Sequence, residues 1–567
     1  MSRRSIAARF LPVLQWLPNY ERGWLRGDLT AGLTVGVMLI PQGMAYAMLA
    51  GLPPIHGLYA VTLPLAIYAL LGTSRQLALG PSAMVALLVA SGVGTLAPAG
   101  AGEFVALAAL LALMVGLVQL AMGAFRLGFL VNFLSRPVVS GFTSAAALVI
   151  GANQLKHLLG VDLPRSKYLH EILLAASGEL ASTNPWTLGM GLGAIGLLLI
   201  FRRLDRRIPG ALIVVLAGTL LAAAVGAEAR GIGVVGAVPA GLPSVTLPPI
   251  SWGDIGLLLP IALTIAFTGF AESISVAKAM QARHRDYRLD YDQELIALGT
   301  ANLGASLVQA FPVTGGLSRS AVNDQAGARS GVASMVSVTL IVLTLLFLTP
   351  LFYFLPRAVL AAVILVAVAG LFNVREPARL WRSERADFYM LIATFLATLV
   401  LGIERGILAG VLLSLAALIY RSSRPHFAVL GKLPGIDLYR NVLRFPEAVP
   451  PPGAVIIRFD EQLYFANAEY FRDMVELEVG KRGGGIRSVI LDASSISSID
   501  SSGVHVLMDL IDQLEARGIA LHISGAIGPL RDRLGRHGIV ERIGEDRFHP
   551  HVVEAVASVN RRGDGCS

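Results

Sequence analysis

Glu272 stands alone in an apolar stretch, and Arg319 does the same 47 residues later. Between Asp254 and Lys278, Glu272 is the only ionisable side chain, and between Glu294 and Asp324 the only charge is Arg319. An ionisable group at membrane depth is costly and usually faces a cavity, a partner or a substrate path. A buried acid and a buried base on separate hydrophobic segments fit a site that handles an anion and a proton. The competing reading is a permanent Glu272–Arg319 ion pair that only joins two helices.

Such groups need elements that hold them inside a bilayer. Leu79-Gly80-Pro81-Ser82-Ala83 and Pro312-Val313-Thr314-Gly315-Gly316-Leu317-Ser318-Arg319 each put an extended, Gly/Pro-bearing segment before a short apolar helix. Each is the third element of a half, if the second half begins near Asp254. Matching interruptions in two halves point to the binding site of an inverted-repeat transporter. Unwound backbone is tolerated at that depth only where protein or a water-filled cavity satisfies it. A half-helix starting there carries roughly +0.5 charge at its N-terminus, so two such ends make an anion site. The alternative is a pair of ordinary loops whose glycines serve close helix contact.

The composition agrees with a membrane setting. The chain has 567 residues, 54% hydrophobic and 15% charged, with mean hydropathy +0.66; soluble domains carry about 25% charged residues. Residues 29–74, 104–125, 330–356 and 388–403 contain no Asp, Glu, Lys or Arg. With roughly 20 residues per crossing, the charge-free runs give about fourteen spans, two of them short and interrupted. Basic clusters at Arg75, Arg126, Arg202–Arg203–Arg206–Arg207, Lys278–Arg283–Arg285–Arg288, Arg375–Arg379–Arg382–Arg385 and Arg421–Arg424 follow even-numbered spans. With Arg3, Arg4 and Arg9 at the start, the positive-inside rule puts both termini in the cytoplasm. The mixed-sign loop 156–179 then lies outside. The net charge of +8 is the loop-arginine excess of a membrane protein, not a nucleic-acid surface. Cys566 is the only cysteine, which excludes an intrachain disulfide and a multi-cysteine metal site. No removable signal peptide is expected. The Arg, Ala and Gly bias points to a bacterial cytoplasmic membrane.

The expected organisation is a cytoplasmic segment 1–27, a first membrane repeat 28–227, an extracellular linker 228–253, a second repeat 254–425, a cytoplasmic domain 426–560 and a tail 561–567. In the cytoplasmic domain, Val455–Phe459, Ser488–Leu491 and Ile519–Ile523 read as strands. Asn467 is expected to cap a helix to about Val479. Val504, Leu507, Ile511 and Leu514 form one apolar helical stripe, and 530–537 is a short helix. Ser494 to Gly503 reads as a polar turn capped by Ser501 or Ser502. Its functional alternative is a phosphoacceptor at Ser502, where phosphate meets a helix N-terminus favourably. His549-Pro550-His551 is expected in a solvated tail, being too few ligands for a metal. No cofactor is expected, and no metal-ligand set, nucleophile elbow or nucleotide loop marks an enzyme.

Four motifs carry a resemblance. They are Pro41-Gln42-Gly43-Met44-Ala45-Tyr46-Ala47 through Gly57-Leu58-Tyr59; Gly72-Thr73-Ser74-Arg75 through Gly80-Pro81; Phe311 through Asn323; and Asp492-Ala493-Ser494 through Asp500-Ser501-Ser502-Gly503. The chain resembles the SulP family of anion permeases with a C-terminal STAS domain, over nearly its whole length. The resemblance implies a polytopic α-helical membrane protein of two inverted seven-helix halves, forming core and gate domains that move by an elevator-like shift, plus a soluble α/β STAS domain and a homodimer. By position it implies an anion pocket of Gln42, Tyr46, Ser82, Ala83, Leu317, Ser318 and Arg319, with Glu272 at the acid of proton-coupled members. Val276, four residues on, argues against a sodium site.

On this reading the substrate is an inorganic oxyanion, sulfate first, with bicarbonate or a fumarate-like dicarboxylate as alternatives. Anion exchange and a membrane-tethered STAS scaffold are the further alternatives. If ionised Glu272 lies roughly 6 Å from a dianion at an effective dielectric of about 20, repulsion is on the order of 5 kcal/mol. Driving a two-state equilibrium from 1:99 to 99:1 takes about 5.5 kcal/mol, so one protonation is large enough to gate binding.

Overall fold

A computed structural model describes residues 11–129, 135–163, 166, 168–204, 210–284, 286–370 and 372–564. Arg3, Arg4, Arg9, Lys167, Arg206, Arg207, Arg285 and Cys566 lie outside them. The chain divides into two compact units, Met1–Ser414 and Leu415–Ser567.

In the first unit, α1 (Arg22–Ala50) runs through Pro41 and ends at Gly51, whose φ of 97° is the left-handed cap that favours glycine. Gly43 on α1 meets Gly57 backbone to backbone: a Cβ on Gly57 would lie 1.9 Å from the Gly43 carbonyl oxygen. After Ile55–Leu71 come the two-residue strand β1 (Leu79–Gly80), the short helix α2 (Ala83–Val93) and α3 (Gly102–Ala124). Further along, α4 (Trp252–His284) spans 33 residues, about 50 Å at 1.5 Å per residue. It is followed by α5 (Tyr291–Leu307), β2 (Thr314–Gly315) and α6 (Leu317–Gln325). Among the described residues, six helices are long and apolar enough to cross a membrane, and five shorter apolar ones accompany them. With α5, α6 and Arg385–Leu401, they are consistent with the fourteen passages expected.

Some passages differ from the expectation. The loop foreseen at 156–179 contains helices Leu155–Leu159 and Leu169–Gly178, the latter burying Ile172 and Ala176 one turn apart. After Pro356 the chain is helical over Arg357–Ala369, and the expected basic cluster's Arg375, Arg379 and Arg382 lie on a separate helix, Arg375–Ser383.

The second unit is a six-stranded sheet with covering helices. Its strands are β3 (Phe427–Lys432), β4 (Tyr439–Asn441), β5 (Ala454–Phe459), β6 (Ser488–Asp492), β7 (Ala520–Ser524) and β8 (Phe548–His549), in the order β4-β3-β5-β6-β7-β8. From β5 to β8 the pairing is parallel, with β3 antiparallel to β4 and β5. Helices α7 (Ala468–Lys481), α8 (Ser501–Ala516), α9 (Gly528–Arg536) and α10 (Val552–Asp564) pack around it. The expected stripe Val504, Leu507, Ile511 and Leu514 on α8 is buried.

Several local expectations are corrected. Asn467 sits before α7 but does not cap it: its Oδ1 accepts from Tyr464 N at 3.0 Å, and its Nδ2 donates to Gln462 O at 2.9 Å. Asp500, not Ser501 or Ser502, caps α8, accepting from Gly503 N at 2.7 Å. A carboxylate satisfies the orphan amide more strongly than a hydroxyl and complements the helix dipole. His549 is no tail residue: it pairs in β8 with Ser524, and its Nε2 lies 3.1 Å from His522 Nδ1. The segment foreseen as a tail from 561 continues α10 to Asp564.

Candidate functional site

The two interrupted segments meet. Antiparallel pairing of β1 with β2 places Leu79 opposite Gly315 and Gly80 opposite Thr314. Because the strands run in opposite senses, α2 and α6 leave this ladder in opposite directions, each with its N-terminus at the crossing. Gly316 N donates to Ala78 O at 3.2 Å, Ala78 N donates to Ser320 Oγ at 2.9 Å, and Asn323 Nδ2 donates to Gln76 O at 3.0 Å. Each unwound segment thus supplies the partners the other lacks, which is the condition for irregular backbone at membrane depth.

The helix starts leave donors over. In α2 the first backbone bond is Ala86 N to Ser82 O, and Ser82 Oγ accepts from Val85 N at 3.3 Å. The Ala83 and Met84 amides precede that bond. In α6 the first backbone bond is Ser320 N to Gly316 O, so the amides of Leu317, Ser318 and Arg319 precede it. Such first-turn N–H groups with aligned dipoles favour an anion.

Glu272 and Arg319 flank the start of α2. Ser82 Oγ donates to Glu272 Oε2 at 3.3 Å. Arg319 Nη1 donates to Pro81 O at 2.6 Å, and Nη2 to Thr314 O at 3.5 Å. No ion pair joins Glu272 to Arg319, so the purely structural pairing is not made. The guanidinium instead ties the second segment to the first. Gln42, Tyr46, Ser82, Ala83 and Arg319 are buried, Glu272 is half-buried, and Leu317 and Ser318 are exposed. From α6, then, Leu317 and Ser318 can offer backbone amides, and Ser318 its hydroxyl, while Arg319 lies within the packed protein. Of the elements bearing these residues, α1 and α4 each pack on both α2 and α6. The 500 Å³ cavity lined by Arg126, Phe129 and residues 288–292 lies elsewhere and contains none of them.

Two buried polar atoms here have no hydrogen-bond partner: Gln42 Oε1 and Arg319 Nε. Leaving a buried polar group unmet costs about 1–3 kcal/mol, and such groups call for an explanation. A ligand or water between α1 and α6 would supply one.

Supporting residues carry no signal by type alone. Ser273, next to Glu272, accepts from Gly315 N at 2.9 Å, and Thr314 Oγ1 donates to Gly269 O at 2.7 Å. These bonds fasten β2 to α4. Farther along, Arg283 and His284 at the end of α4 both bond Asp324 in α6, Arg283 at 2.9 Å. Ser502, in the first turn of α8 in the other unit, is exposed.

The profile of the sulfate permease family matches residues 25–394, and that of the STAS domain residues 445–555. The chloroplastic sulfate transporter 4.1 of Arabidopsis thaliana is 40% identical over 565 residues, covering 96% of this chain and 82% of the relative. A probable sulfate transporter of Mycobacterium tuberculosis is 38% identical over 559 residues, covering 98% and 99%. The structure of the murine solute carrier 26 family member A9 anion transporter in the inward-facing state superposes with a TM-score of 0.91 at 28% identity, covering 99% of this chain and 95% of that one.

Proposed function

This multi-pass membrane chain belongs to the sulfate permease family and carries a C-terminal STAS domain, and from that premise we propose that it imports an inorganic oxyanion, sulfate first, by proton symport. The observation that carries the reading is the β1–β2 ladder, which brings two half-helix N-termini together with Arg319 on one side and Glu272 on the other. Amides of Ala83, Leu317 and Ser318 replace part of the anion's hydration. Ser82, Ser318 and Gln42 add hydrogen bonds, Tyr46 forms the wall, and Arg319 supplies positive charge. Protonation of Glu272 removes the repulsion that otherwise keeps a dianion out, so anion and proton enter together.

The same reading holds that the chain lies in a bacterial cytoplasmic membrane as a homodimer, with both termini cytoplasmic. Residues 28–227 and 254–425 form inverted repeats joined by an extracellular linker 228–253, and the site-bearing helices rise and fall as an elevator. The STAS domain, 426–560, regulates transport, with exposed Ser502 as a phosphoacceptor.

Uptake of labelled sulfate, bicarbonate and fumarate into proteoliposomes under an imposed pH gradient tests the proposal. Sulfate accumulation that collapses with the gradient supports it. Bicarbonate or fumarate accumulation in its place reassigns the substrate, and gradient-independent exchange of any of them removes the proton.

A further inference from the structure

Two buried amides outside the anion site reach its backbone from behind. Gln119 on α3 and Asn302 on α5 are 1% and 0% exposed. Asn302 Oδ1 accepts from Val313 N at 2.8 Å, and its Nδ2 donates to Val313 O at 3.2 Å and to Gln119 Oε1 at 2.9 Å. Asn302 thus pairs with Val313, the residue just before β2, as a neighbouring strand would. Gln119 Nε2 in turn donates to Ala266 O at 3.2 Å, on the helix that bears Glu272. The chain of bonds runs from α4 through α3 and α5 to the unwound start of α6.

The packing is built to permit it. One turn from each amide, Gly116 on α3 meets Gly299 on α5. A Cβ on either would lie 2.8 Å from the other's carbonyl oxygen. Only bare backbone lets the helices approach this closely, and the short amide side chains then meet across the gap. An apolar pair would fill the same space without polar atoms. The amides add satisfaction of the Val313 backbone, which has no strand neighbour of its own.

We propose that Gln119 and Asn302 are a positioning pair that fixes the start of α6, and with it Arg319, relative to Glu272, and so sets anion affinity. This rests on the transport reading above. The pair touches no anion. It acts by holding the backbone whose amides and guanidinium do.

The test is sulfate uptake by full-length Gln119→Leu, Asn302→Leu and the double variant in proteoliposomes, with KM, maximal rate and thermal midpoint measured together. Each single change is expected to raise KM about tenfold with maximal rate within about threefold, and the double change no more than the larger single, because the two amides act as one unit. An unchanged KM in variants that keep the wild-type midpoint overturns the proposal, as do effects that multiply. Should the leucine variants fail to fold, Gln119→Glu decides. As a neutral acid it keeps both bonds, accepting from Asn302 and donating to Ala266, and when ionised it loses the second. Burial favours the neutral acid, so its KM is expected to stay near that of wild type in acid; a KM raised about tenfold there, with both bonds kept, contradicts the pair. If wild type takes up none of the three anions, the transport reading fails instead. Hydrogen exchange of the Val313 amide then still tests the pair, since faster exchange in Asn302→Leu but not in Gln119→Leu would leave Gln119 a packing residue.

Discussion

At the scale of single residues, the acid and the base were visible because charge is scarce around them. Glu272 and Arg319 are each isolated in apolar sequence, and both converge on the start of α2. Their partners were not visible. Nothing in sequence says that Arg319 donates to Pro81 O, since a backbone carbonyl has no residue signature. Ser273, Asn302 and Gln119 were missed for the same reason: a lone polar residue in a helix is legible only through what it touches. Glu272→Gln, neutral at every pH, is expected to abolish pH-driven accumulation of sulfate while leaving some exchange. Accumulation that still follows the gradient would remove Glu272 from coupling. Arg319→Ala is expected to raise KM for sulfate by at least about tenfold, the loss of a charge-assisted contact worth about 1.5–3 kcal/mol. Competitive uptake measures it, and an unaltered KM would take Arg319 out of the site.

At the scale of elements, glycine and proline marked both breaks, so the half-helices were foreseen. That the two segments would pair with each other was not, because two-residue strands have no periodicity to read. Gly316 offers a clean probe of this element. Its φ of −103° suits any residue, yet an added Cβ would lie 2.6 Å from Arg319 Cζ. Gly316→Ala is therefore expected to leave the thermal midpoint nearly unchanged while moving the guanidinium off Pro81 O and weakening sulfate affinity. A wild-type KM would show that Arg319 does not need that position. Gly57→Ala should act in the opposite way. Its Cβ would meet the Gly43 carbonyl oxygen at 1.9 Å, so backbone must shift. A loss of folded protein is expected, beyond the usual 1–3 kcal/mol of overpacking, read as recovery from size-exclusion chromatography.

At the scale of the whole molecule, hydropathy alone separated a membrane unit from a soluble one, and the boundary near Leu415 falls close to where hydrophobicity drops. The soluble sheet was only half legible. Strands β5 and β6 are built on the apolar runs 454–457 and 489–491 and β7 is apolar around His522, whereas β4 and β8 are three and two residues long and rely on neighbours for their pairing. The C-terminal unit has its own buried core and is expected to fold when produced alone. Within it, burial alone would raise the Asp460 carboxyl. Hydrogen bonds from Arg458, at 2.7 and 3.2 Å, and from His426, at 2.7 Å, outweigh burial and hold it below the usual carboxylate range. A depressed folded value contributes stability above the unfolded value of about 3.9 and loses it as pH falls through the folded one. Asp460→Asn should therefore destabilise this unit at neutral pH, with the difference from wild type closing below about pH 4, as denaturant unfolding at each pH would report. A gap that persists into acid would assign the effect to packing.

The most direct examination of the whole account is a density map of the full-length protein at saturating sulfate. A tetrahedral anion is expected at the crossing of β1 and β2, within hydrogen-bond reach of the Ala83 and Ser318 amides. An anion bound elsewhere, with that crossing empty, would contradict it.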